Sequence, residues 1–188
     1  MAHLVGWALV NARIKTPLYA RTYAKITELQ AAGAIPAAAR VCVGQKCLDD
    51  CCRGLGLIEA ATLQLHRQVA ARFDVYFATV LRANLRSLRS LRYHERAYIQ
   101  VAEDDEKVYF IRHISADAPG PAEASLPAAY AVRPGRLADC ADLRALNLKW
   151  ARATRGDNLA DGFLTTLYSE DDFQTIIAAN EIAVIEQV

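Results

Sequence analysis

The chain has 188 residues, of which 53% are hydrophobic and 23% charged, with 22 basic against 21 acidic side chains. That length suits one domain with a core large enough to fold without covalent staples. The balanced charge excludes a disordered chain and a polyanion binder of the usual basic kind. Met1-Ala2-His3 opens without the basic segment, apolar run and small-residue cleavage site of a secretory signal, and every apolar stretch stops far short of a bilayer span. A cytoplasmic location with no membrane partner is expected.

Residues 3–11 (HLVGWALVN) are apolar and β-prone and read as a strand. Tyr23, Ile26 and Leu29 then recur at helical spacing, so 22–32 is a helix that stops at Gly33 with Pro36 beyond it. A second strand over 38–43 (AARVCV) leads through a turn-like 44–50 to the paired glycines Gly54 and Gly56. Over 55–72, Ile58, Ala61, Leu65 and Val69 recur at three and four, the mark of one buried helix face. The run 75–81 (VYFATVL) suits a strand covered on both faces. A helix over 86–96 follows, and then 98–102 and 107–113 flank the polar turn 103–106 as a hairpin.

Residues 115–129 (SADAPGPAEASLPAA) carry proline, alanine and glycine without period and read as a linker. Beyond it, 130–133 is a short strand. Asp139 and Asp142 open a helix carrying Leu143, Leu146 and Trp150. Ser169 and Asp172 open another, and 181–187 (EIAVIEQ) alternates as a last strand. Five cysteines, four of them crowded between 42 and 52, make a poor disulfide framework for a chain of this length, so reduced thiols are expected. Cys47, Cys51 and Cys52 also lack the paired C-x-x-C spacing of a zinc site, and adjacent cysteines in an extended segment point to opposite sides, so no metal is expected. A metal-binding role for the cluster is the weakest of the alternatives.

Arg53-Gly54-Leu55-Gly56 lies between a strand and the start of a long helix with one apolar face. Such a turn brings backbone amides close to a phosphate, and the helix start supplies positive potential. With these elements the sequence resembles the GNAT superfamily of N-acetyltransferases, whose acetyl-CoA signature is Q/R-x-x-G-x-G/A. Arg53 and Gly56 match two of its three named positions, and Ile58 departs from the third, where a small residue is usual. The resemblance covers nearly everything outside the linker and the helix over 22–32, but with the halves reversed. Residues 130–188 (Tyr130-Ala131-Val132-Arg133-Pro134 onward) are similar to the family's first two strands and helices, and 1–114 to its remainder.

The implied fold is an α/β (α+β) domain with a mixed, mostly antiparallel central sheet flanked by helices. Its halves are either circularly permuted within one chain or exchanged between two, and in both cases the first and last strands pair. About fifteen linker residues, at up to ~3.3 Å each, suffice to join the former ends. A homodimer by exchange, or a fragment of tandem domains that folds as an oligomer, stays open.

The resemblance assigns the pyrophosphate cradle to Arg53, Gly54, Leu55, Gly56, Leu57 and Ile58, and the open strand backbone facing the pantetheine arm to Val41, Cys42 and Val43. Asn84 and Ser87 match the family's N-x-x-S/A, although an Asn and a Ser capping the next helix read equally well from the residues. Where the family places a proton-donating Tyr, Leu91 falls. A one-turn insertion in Ser87–Arg92 brings Tyr93 or His94 to that role, against the plain reading of a solvent-facing aromatic pair. Arg82, Arg86, Arg89, Arg92 and Arg96 form a stripe that reads as a solvated face; holding the adenosine phosphate is the alternative, and nucleic acid is not expected without a wider basic excess. Glu28, Asp49 and Asp50 are loose candidates for a general base.

The implied activity is acetyl-CoA-dependent transfer to a small-molecule or peptide amine. The alternative is a GNAT-fold module that binds acyl-CoA or a protein without turnover.

Overall fold

The computed structural model describes residues 3–11, 17–95, 97–115, 126–151 and 164–188. Arg96 and most of the expected linker lie outside the described residues, as does the side chain of His94. Seven strands form one sheet: β1 (His3–Asn11), β2 (Val41–Leu48), β3 (Val75–Leu81), β4 (Ile99–Glu103), β5 (Lys107–His113), β6 (Tyr130–Pro134) and β7 (Ile182–Gln187). They lie in the order β4-β5-β3-β2-β1-β7-β6. Every neighbouring pair is antiparallel except β2 with β3. This is the mixed, mostly antiparallel sheet flanked by helices that the sequence implies.

One face carries α2 (Leu57–Val69) and the short α3 (Leu85–Arg89). Leu57, Ala61, Leu65 and Val69 of α2 are fully buried against Ala8, Val10, Cys42, Tyr76, Ala183 and Ile185. The other face carries α1 (Pro17–Ala31), α4 (Cys140–Lys149) and α5 (Glu170–Ala178). There Trp7, Leu9 and Val184 pack under Leu143, Phe173 and Ile176, while Val43, Phe77 and Tyr109 pack under Ile26 and Leu29. Because strand side chains alternate, Trp7 and Leu9 serve one face while Ala8 and Val10 serve the other. β1 lies inside the sheet between β2 and β7 and is buried on both faces.

The chain's last strand lies beside its first. β7 pairs with β1 from Leu9↔Ile182 to His3↔Gln187, and β6 closes that edge on β7. Residues on either side of the linker are further tied by the edge-to-face contact of Trp7 with Phe173, at 6.3 Å between ring centroids, and by the 2.6 Å pair of Arg72 with the buried Glu181.

Several boundaries differ from the sequence expectation. α1 begins at Pro17, where proline's fixed φ suits a first helical position, and not at Thr22. β2 starts at Val41 and runs through Gly44-Gln45-Lys46 to Leu48, because β1 supplies hydrogen-bond partners as far as Gly6↔Leu48. The polar residues that read as a turn are strand. The helix expected over 86–96 is α3 followed by a π-helical turn, Ser90–His94.

Candidate functional site

β2 and β3 run parallel but stay together for three residues only, Val41↔Val75, Cys42↔Tyr76 and Val43↔Phe77. Beyond them β2 continues with β1 as its partner, and β3 continues to Leu81 with β5 as its partner. A seam therefore opens toward the C-terminal ends of both strands. Val41, Cys42 and Val43, which the resemblance assigns to the backbone facing the pantetheine arm, are the three residues that pair with β3, and the β2 edge beyond that pairing belongs to 44–48. The Cys42 side chain is buried, with its thiol pushed up chiefly by that burial.

From Leu48 the chain passes a 3-10 turn, Asp50–Cys52, and reaches the glycine pair. Gly54 has φ +75° and Gly56 φ +71°, a region that costs a residue with a Cβ about 1–2 kcal/mol. Nothing lies within 4 Å of where a Cβ would sit on either, so the glycines serve the backbone path and leave the space above it open. The turn is exposed at Gly54, Leu55 and Gly56. Gly56 occupies the N-cap position of α2 with no side-chain cap, and Ala60 donates the helix's first return bond to the Gly56 carbonyl at 3.1 Å. The amides of Leu57, Ile58 and Glu59 thus open the helix without a capping side chain. Leu57 is fully buried and Ile58 is partly buried against the core, so neither of these side chains covers the turn.

Around the turn the charges are paired. Arg53 forms an ion pair with Asp50, and Arg86 of α3 reaches the same carboxylate at 3.2 Å. Both guanidinium groups lie over Trp150, at 5.4 and 6.0 Å from its ring. Lys149 holds Asp49 at 2.7 Å. Arg53 and Arg86, from two elements, thus share Asp50 and Trp150 beside the turn.

Asn84 caps α3, its Oδ1 accepting from the Ser87 amide at 3.1 Å. Elsewhere on the arginine stripe, Arg82 pairs with Glu103 at 3.2 Å and Arg92 donates to Gln100 at 3.0 Å, both on β4, so these arginines clasp the hairpin. Tyr93 is 71% exposed and lines a shallow surface depression with Leu85, Leu88, Arg89 and Arg92. The depression shares no residue with the glycine turn or β2.

A cluster of buried polar and aromatic groups lies beside β2 and β3 on α2's side of the sheet. Tyr76 crosses Gly44 so closely that a Cβ there would fall 2.1 Å from the Tyr76 hydroxyl. That hydroxyl is buried and finds no hydrogen-bond partner among the described residues. His66 of α2 lies 5.7 Å from the Tyr76 ring, fully buried, with both ring nitrogens likewise unpartnered among the described residues. Burial, followed by the neighbouring charges of Arg112 and Lys46, pulls His66 down to about 3, so it is neutral at pH 7. Tyr98 sets its edge to Tyr76 at 6.1 Å, and the Lys46 ammonium sits 4.4 Å over the Tyr98 ring. Lys46 is ion-paired with Glu95, which also accepts from the Ser90 hydroxyl at 2.9 Å, while Arg112 grips Glu59 through two bonds of 2.6 and 2.7 Å. Burial raises the Tyr76 and Tyr98 phenols well above their ordinary range and keeps them protonated.

No spacing in the sequence joins Lys46, His66, Tyr76, Glu95, Tyr98 and Arg112, which come from five separate segments. Among the described residues no three His, Cys, Asp or Glu side chains gather as a metal site, and no helix is long and apolar enough to cross a membrane.

No protein-family model matches the chain, and neither does any curated protein. Among solved structures it is similar to SsHAT, at 18% identity and a TM-score of 0.41, over 59% of this chain and 67% of that one. It is also similar to a protein described as a phosphinothricin N-acetyltransferase, at 16% identity and TM-score 0.34, over 59% of this chain and 64% of that one. A third likeness is to the N-acetyltransferase PseH of Campylobacter jejuni, at 10% identity and TM-score 0.33, over 59% of this chain and 99% of that one. Two of the three carry the name of an N-acetyltransferase.

Proposed function

We propose that the protein is an acetyl-CoA-dependent N-acetyltransferase of the GNAT type, with its halves in permuted order along one chain. The observation that carries this reading is the parallel seam that opens beyond Val43 and Phe77, with β2 running from its edge into an exposed, uncapped glycine turn. Counting from β6, the strands follow the family's order, and β2 and β3 fall on its fourth and fifth strands, the pair the family splays. The β1–β7 ladder, with one register shift between Leu4 and Gly6, supports closure within one chain over exchange between two.

In this reading the amides of Gly54 through Glu59 receive the pyrophosphate, with Arg53 and Arg86 beside it. The open β2 backbone over 44–48 pairs with the pantetheine arm, and the unpartnered polar atoms of His66 and Tyr76 mark a place suited to a polar group. The co-substrate supplies a thioester, which the acceptor amine attacks directly while β2 amides polarise its carbonyl. The sequence nominated Tyr93 and His94 as proton donors. The geometry favours Tyr76 over Tyr93, since its hydroxyl is buried at the seam's apex and Tyr93 faces solvent. The expected acceptor is a small-molecule or peptide amine.

A second reading, a module that binds acyl-CoA without turnover, is favoured by one observation. The Lys46–Glu95 pair and Tyr98 fill the ground between β2 and the π-helical turn. Calorimetry with acetyl-CoA, followed by thiol release over a panel of amines, separates the two. Binding with release supports the enzyme, binding without release supports the module, and absence of binding overturns both.

A further inference from the structure

Cys51 and Cys52 were expected to point apart, as neighbours do in extended chain. The 3-10 turn instead brings their sulfurs to 3.3 Å. The two thiols differ in access, Cys51 being exposed and Cys52 fully buried with its sulfur 3.7 Å from the Tyr130 hydroxyl. Cys42, Cys47 and Cys140 are buried singly, and burial raises their thiols, which makes them inert toward solutes.

We infer that Cys51 and Cys52 form a reversible thiol–disulfide site, in which the exposed Cys51 takes an incoming low-molecular-weight disulfide and Cys52 resolves it. This inference stands apart from the acetyl-CoA reading. The Cys51 thiolate attacks one sulfur of oxidised glutathione, breaking its S–S bond and releasing one glutathione thiolate. The Cys52 thiolate then attacks Cys51 Sγ, breaks the mixed disulfide and releases the second. Two cysteine thiols are oxidised, one glutathione disulfide is reduced, and the two protons end on the two glutathione thiolates.

The order of attack follows from access: Cys51 is exposed, whereas burial together with the adjacent Cys51 thiol raises the Cys52 thiol above its ordinary range. Adjacent Cα atoms stand about 3.8 Å apart, short of the usual ~4.4–6.8 Å span of a disulfide. The bond is therefore strained and easily reduced, as a reversible modification requires.

The test is intact-mass and tandem mass spectrometry of the full chain incubated with oxidised glutathione. The wild type is expected to lose two hydrogens mapped to the Cys51-Cys52 peptide and to regain them with dithiothreitol. Cys52→Ser is expected to hold one glutathione on Cys51, and Cys51→Ser to stay unmodified. A wild type that keeps glutathione on Cys51, forms its disulfide elsewhere or does not react overturns the proposal. Circular dichroism checks that the variants fold, and the wild-type mapping decides alone if one does not.

Discussion

Helices α2 and α5 begin in opposite ways, and the contrast separates a helix capped from within the chain from one whose start carries no capping side chain. At α5, Ser169 accepts from the Asp172 amide at 3.1 Å while Asp172 accepts from the Ser169 amide at 2.8 Å, a reciprocal box that satisfies both donors from within the chain. At α2, Gly56 sits with positive φ and caps nothing. Further along, His66 on the same helix faces Tyr76 with polar atoms left unpartnered among the described residues. α5 is self-sufficient, whereas α2 has donors in hand at its exposed start and along its buried flank.

The largest effect expected from breaking this contrast is at Tyr76. If its hydroxyl protonates the leaving thiolate, Tyr76→Phe lowers thiol release by about 100-fold at unchanged acetyl-CoA affinity. Stopped-flow detection of thiol and calorimetry on the same sample check both halves. Next comes Gly56→Val, which puts a Cβ in the left-handed region at a cost of about 1–2 kcal/mol and fills the space above the turn. Acetyl-CoA affinity is expected to fall by about 10-fold or more, since a side chain there obstructs the helix-start amides that bind phosphate.

His66 gives a smaller effect with a defined sign. Its folded pKa, about 3, lies below its ordinary 6.5, so below pH 6.5 the unfolded chain binds a proton that the folded one refuses. Stability then falls as pH drops from 6.5 toward 3, by at most about 1.4 kcal/mol per pH unit from this group. His66→Leu is expected to flatten that slope in denaturant titrations while keeping stability near pH 7. The smallest effect is at the other helix: Ser169→Ala costs about 1 kcal/mol of stability and leaves acetyl-CoA affinity unchanged.

Periodicity made much of this molecule readable. The buried run of β3, the apolar face of α2, the hairpin and the capping box of α5 each follow from local spacing. So did the glycine turn, because positive φ at two close positions leaves few alternatives to glycine. The second half of β2 does not read as strand because Gln45 and Lys46 are polar, and their strand character comes from β1, more than thirty residues away in sequence. The opening of the seam is a property of register between two parallel strands, which neither strand encodes alone. For the same reason no local pattern tells that Val41, Cys42 and Val43 pair with β3 while 44–48 run on without it. Tyr76 read as a core residue because its environment of Gly44, His66 and Tyr98 is assembled only by the fold.

Hydrogen exchange of the full chain with and without acetyl-CoA tests the central claim most directly. The account predicts slowed exchange at the amides of 54–59 and 44–48, with no change at the first turn of α5. Protection confined to other segments, or none at saturating acetyl-CoA, would contradict it.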